Sequence, residues 1–186
     1  TPALSGIDET SHFARAFQIS EGVLVPVDPP AGVEGVGVCL PAEVRDDLQR
    51  QLERNFFGGL VDPSADSYQG IRCKRADPRQ GKYLEIATFS WYPAIGYAPE
   101  AAAILVGRVV GVDTLGLTAM ARVASLFAYL GVAAVAVRRS TRAQWTLVVV
   151  ALLPVALVQA AMSTGPDGMS LAPVLLAVSS VLRPTD

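Results

Sequence analysis

The sequence predicts an α-helical, multi-pass membrane protein with a large, mixed, outward-facing first loop, and three observations predict it. Hydrophobic residues make up 51% of the 186-residue chain and charged residues 17%, with a mean hydropathy of +0.38. That is too apolar for an ordinary soluble domain of this length. Charge is unevenly divided: residues 1–100 hold 14 acids and 9 bases, and residues 101–186 hold 3 acids and 6 bases, which together make the chain's 17 and 15. Lastly, Leu117 to Val137 is a run of 21 residues whose only charge is Arg122. It meets the roughly 20 residues needed to cross about 30 Å of hydrocarbon. A large soluble core of buried helices is the competing reading, but two adjacent apolar runs flanking an arginine cluster suit a bilayer better.

Taken in order, residues 1–97 read as an outward loop with helices near 8–20 and 41–57. From Asp8 to Ile19, Phe13, Ala16, Phe17 and Ile19 supply apolar positions, and Gly22 follows the end. Pro26 to Gly37 reads as irregular chain. In the second helix Pro41 suits the first turn, Val44, Leu48, Leu52 and Phe56 keep an i, i+4 spacing, and Gly58-Gly59 stops it. The acids and bases from Glu43 to Glu53 are a solvated face without chemistry. Asp62 to Gly81 is polar and turn-rich. Residues 98–115 then read as an amphipathic helix lying along the membrane interface.

Residues 116–186 hold the expected membrane helices, near 117–137, 145–162 and 169–182. Arg138, Arg139 and Arg142 close the first and mark a cytoplasmic end. Trp145 opens the second at the position of an aromatic belt residue, and Pro154 and Gln159 are tolerable there if neighbouring helices satisfy the freed groups. The third run is short for a span. The arginine loop therefore faces the cytoplasm, and residues 1–115 and 163–168 face outward. The chain starts at Thr1 without an initiator Met or a signal region and stops just after a hydrophobic run, so it reads as cut from something longer.

Cys39 and Cys73 both fall in the outward region. An even pair in an oxidising compartment suggests a disulfide, with two free buried thiols as the alternative. A loop of roughly 35 residues closed in this way contributes about 3–4 kcal/mol. Two cysteines so far apart with one distant His argue against zinc. A sequence pI near 5.4, without a basic patch interleaved with aromatics, argues against nucleic acid.

Three stretches carry a family resemblance: Asp8–Gly22, Tyr92–Arg138 and Ser163–Ala172. Gly6 to Ala16 resembles the Asp-Glu element that follows the first transmembrane helix in the GT-C superfamily of lipid-linked sugar transferases. The order and spacing of all three are similar to a bacterial group of predicted membrane proteins, domain of unknown function 2142. The resemblance implies a GT-C-like fold, a span before Thr1 and more after Asp186, in a bacterial cytoplasmic (inner) membrane. By analogy it also implies transfer of a sugar from a polyprenyl-phosphate donor to a cell-envelope acceptor on the outer face. A non-catalytic scaffold or transporter of envelope polysaccharide, with envelope-assembly protein partners, is the alternative.

The residues make chemical sense of that analogy. Such a transferase deprotonates an acceptor hydroxyl and stabilises a phosphate leaving group. Asp8 and Glu9 are the candidate catalytic carboxylates. Asp8 and His12 share a face at i, i+4, and with Asp167 in the next outward loop they form a candidate site for magnesium or manganese. Arg15, Arg122 and Tyr92 are candidates for binding substrate or lipid phosphate, and Arg122 is costly within a span unless paired. Plain roles compete: Asp8 and Glu9 as complements to the helix dipole, Asp167 as a cap, His12 as a packing residue, and Arg122 paired with a carboxylate in another helix.

Overall fold

A computed structural model describes residues 9–27, 36–56, 72–73, 81–86, 92–140, 144–162 and 167–181. Helix α1 runs Glu9–Ser20, with Glu9 in its first turn, where a carboxylate complements the helix dipole. Gly22, at φ 82°, ends it. The Gly22 N–H donates to Ile19 O at 2.9 Å and the Val23 N–H to Gln18 O at 3.2 Å, a closure that needs a residue able to take positive φ.

The expected irregular and turn-rich segments contain a sheet. Strands β1 (Gly37–Pro41), β2 (Arg72–Cys73) and β3 (Gly81–Glu85) form an antiparallel sheet in the order β1-β3-β2. β1 is buried along its whole length, so it has no polar alternation to betray it, and β2 is two residues long. Helix α2 spans Ala42–Phe56. Pro41 does not open it as expected; it ends edge strand β1 opposite Gly81, a place where a missing N–H is tolerated. Val44 and Leu48 enter the core, while the side chains of Leu52 and Phe56 lie outside the described set. Lys82 of β3 ties sheet to helix through Asp46 at 2.7 Å.

A 3-10 turn, Ala94–Tyr97, leads into α3, Ala98–Val109, which carries Pro in its first turn. The expected interfacial helix therefore stops six residues early. Gly111, at φ 78°, closes it as Gly22 closes α1: its N–H donates to Arg108 O at 3.2 Å, and that of Val112 to Gly107 O at 2.9 Å. Asp113 then caps α4, Thr114–Arg139, accepting from the Gly116 N–H at 2.9 Å. With 26 residues and a peak mean hydropathy of 1.8, α4 is the one helix among the described residues long and apolar enough to cross a membrane.

The expected helix over 145–162 is two helices, α5 (Gln144–Ala151) and α6 (Pro154–Met162). Pro154 supplies no N–H and disfavours helical geometry at the residue before it, so the ladder breaks at Leu152-Leu153. Helix α7 covers Asp167–Val181 with Pro173 inside it.

Two apolar clusters share α4. Leu117 and Ala121 join Phe13, Phe17, Leu40, Leu48, Tyr97 and Ile104, whereas Tyr129, Ala133 and Ala136 join residues of α5, α6 and α7. Around the second cluster the outer surface stays apolar: Phe127 is 69% exposed, Val155 73% and Trp145 80%. A lipid-facing helix bundle carries such a surface, and a soluble one rarely does.

Candidate functional site

The polar residues concentrate where the start of α1 meets α4. α1 lies parallel to α3 and antiparallel to α4, because Glu9 reaches Arg122 while Glu21, beyond the far end of α1, reaches Arg108. The Arg122 Nε donates to Glu9 Oε1 at 2.6 Å and Nη2 donates to Oε2 at 2.7 Å. The Glu9 side chain is 1% exposed and that of Arg122 14%, so each is desolvated and each needs the other. Arg122 lies eight residues into α4, about 12 Å along its axis. One turn further along α1, His12 Nδ1 and the Tyr97 hydroxyl share a hydrogen bond of 2.8 Å. Tyr92 meets the imidazole edge-on, with ring centroids 5.7 Å apart.

The rest of α1 is held from within. Arg15 is buried and donates to Gln18 Oε1 and to the Leu24 carbonyl. Burial pushes its guanidinium below the ordinary value, opposed by Tyr97. The expected contact with a lipid phosphate does not suit a cation turned inward in this way. At the far end Arg108 donates to Ser20 and Glu21 and stacks over Phe17, 4.7 Å from the ring centre.

A cleft of about 970 Å³ opens at that far end, lined among others by Phe17, Glu21, Val44, Asp47, Arg108 and Leu117. The Thr114 hydroxyl donates to Asp47 at 2.7 Å across its wall. Of the residues singled out from the sequence, Cys39 lines this cleft; Glu9, His12, Arg15, Tyr92 and Arg122 do not.

The structure thus brings Glu9, His12, Tyr92 and Arg122 to one end of α1. Arg122 pairs with Glu9 of the same Asp-Glu element, and the pairing takes Glu9 out of the set of accessible carboxylates. Asp8 and the side chain of Asp167 lie outside the described residues. Among those described, no group of three His, Cys, Asp or Glu residues could hold a metal ion, so no step is derived through magnesium or manganese. Cys39 is 7% exposed on β1 and is not a free thiol. The side chain of Cys73 on β2 lies outside the described residues, and its bridge to Cys39 remains a proposal.

Sequence reasoning missed Tyr97 and Glu100. Tyr97 stands in the YPAIGYAPEA stretch, yet nothing local to it signals an 85-residue reach to His12. Glu100 reads as an ordinary first-turn acid. In the fold it is 0% exposed, neither carboxylate oxygen has a hydrogen-bond partner, and burial raises its pKa to about 7.

The family described as predicted membrane protein (DUF2142) matches the chain over residues 1–186. No curated protein and no solved structure matches it.

Proposed function

We propose, from the premise that the chain belongs to the DUF2142 family of predicted membrane proteins, that it serves GT-C-like glycosyl transfer at the outer face of a bacterial cytoplasmic membrane. In this reading it is a multi-pass protein with residues 1–115 outward and the 138–144 loop in the cytoplasm. The observation that supports it is the two-pronged Glu9–Arg122 ion pair. It holds the first turn of α1 beside the outer third of the apolar helix α4, and Asp8 immediately precedes that turn.

Asp8 is assigned the part of general base. It takes the proton of an acceptor hydroxyl, the oxygen attacks the anomeric carbon, and the bond from that carbon to the polyprenyl phosphate breaks with its electrons going to the phosphate. Glu9 and Arg122 act as positioning residues, since neutralising each other keeps the base at the membrane edge without a buried net charge. A magnesium or manganese ion on Asp8, His12 and Asp167 stands as a separate proposal, read out by metal binding alone.

In the intact membrane protein, Asp8→Asn leaves expression and melting nearly unchanged, because Asn caps a helix about as well as Asp. Transfer from a polyprenyl-phosphate sugar donor falls by about 10²–10⁴-fold, the usual worth of general-base catalysis. Transfer within a few-fold of wild type removes Asp8 from the mechanism. A different observation favours the scaffold or transporter reading: the cleft opens at the opposite end of α1 from Glu9 and His12. That reading gains if Asp8→Asn is silent.

A further inference from the structure

Glu100 has no place in the mechanism above, and its surroundings are unusual for a carboxylate. Glu100, Ile104 and Gly107 are buried on one face of α3. A Cβ built at Gly107 would stand 2.5 Å from Leu117 and 3.0 Å from Met120 of α4, so the two helices touch closely. Both oxygens of Glu100 and the hydroxyl of Ser125 on α4 are buried without a geometric hydrogen bond. Ser125 is nonetheless the side chain that acts on Glu100 electrostatically, favouring its charged form. Ser125 lies eleven residues into α4, about 16 Å along the axis. A carboxyl at such a depth beside a membrane helix is expensive unless it carries a proton or does work.

We propose that Glu100 and Ser125 form a proton site that latches α3 against α4, closed when Glu100 is protonated and loosened when it ionises. The charged and titratable groups on the packed elements are otherwise engaged. α1 presents Glu9, His12 and Arg15, the 3-10 turn presents Tyr97, and α4 presents Arg122 and Tyr129. Glu9 is taken by Arg122, His12 by Tyr97, Arg15 by Gln18 and Leu24, and Tyr129 donates to the Ala151 carbonyl at 3.0 Å. None of them shifts Glu100. Burial is the largest influence and raises its pKa, and its own backbone and then Ser125 lower it.

The sign follows. The folded pKa of about 7 lies above the ordinary 4.5, so the folded protein holds this proton more tightly than the unfolded chain does. Closure of α3 on α4 is fully supported below the ordinary value and is lost as pH rises through about 7. The ligand is the proton itself, and the latch responds near the neutral pH at which the outer face of a membrane works.

The test uses the intact protein in lipid nanodiscs, followed by infrared spectroscopy between roughly pH 5 and 9, a range chosen to bracket the raised carboxyl. Wild type is expected to show a protonated-carboxyl band that disappears with a midpoint near neutrality and is missing from Glu100→Gln. Ser125→Ala removes a group that favours the charged form, so the midpoint moves to higher pH. Hydrogen exchange at the α3 amides, corrected for intrinsic rate, is expected to rise above the midpoint in wild type and stay slow in Glu100→Gln. A midpoint in the ordinary carboxylate range, or one unmoved by Ser125→Ala, overturns the site. Exchange in α3 that ignores the midpoint overturns the latch. If Glu100→Gln fails to fold, the Ser125→Ala midpoint decides alone.

Discussion

Glu9 and Arg122, 113 positions apart, meet as a buried two-pronged ion pair with donor–acceptor distances of 2.6 and 2.7 Å. The geometry matches the fork of a guanidinium to both oxygens of one carboxylate. It joins the first turn of α1 to a helix otherwise apolar for 21 residues, and it makes the burial of Arg122 tolerable. Removing one partner leaves the other charge desolvated, which typically costs about 3–5 kcal/mol. With Arg122 14% exposed, Glu9→Gln and Arg122→Met are each expected at the low end, about 3 kcal/mol. The double variant Glu9→Gln/Arg122→Met recovers a large part of that loss. Melting in detergent across the four proteins gives the coupling; additive losses would show that the pair contributes nothing as a pair.

Gly107 sets how closely α3 lies on α4. Its added Cβ would press on Leu117 and Met120, both flexible side chains that can give way a little. Gly107→Ala is therefore near neutral, since its helix propensity gain of about 1 kcal/mol offsets the shift. Gly107→Val adds bulk without room and is expected to cost about 1–3 kcal/mol. Equal stability of the two variants would place the contact looser than described.

Orientation is checked by labelling. A tag between Arg139 and Ala143 is expected to be reachable from the cytoplasm alone, and one near Gly58 from outside alone. The reverse pattern inverts the membrane and removes Asp8 from the outer face.

Mass spectrometry of native protein without reductant is expected to find Cys39 and Cys73 peptides cross-linked. Free thiol at both positions would count against the bridge and against an oxidising compartment.

Much of the helical layout is written in short-range chemistry. Gly22 past the end of α1 and the apolar run of α4 act over a few residues and mark where a helix stops or how far it reaches. The match of α4 to a 30 Å hydrocarbon layer depends on length and hydropathy, which need no partner. The family, too, was legible, from the order of three stretches around that helix. Pro154 lay at the margin: its effect is local, but whether neighbours compensate for a broken ladder is not, and here the run splits into α5 and α6.

What the sequence by itself determined about this protein is therefore its helices, its apolar span and its kinship. The fold decided the rest. β1 is buried on both faces, so its pairing with β3, more than forty residues away, leaves no periodic trace. Arg122 advertised that it needed a carboxylate, and only the antiparallel seating of α1 on α4 chose Glu9. Glu100 looked like a routine first-turn acid until α4 closed over it. Burial and partnership are properties of contacts between segments distant in the chain, and a carboxylate's chemistry depends on both.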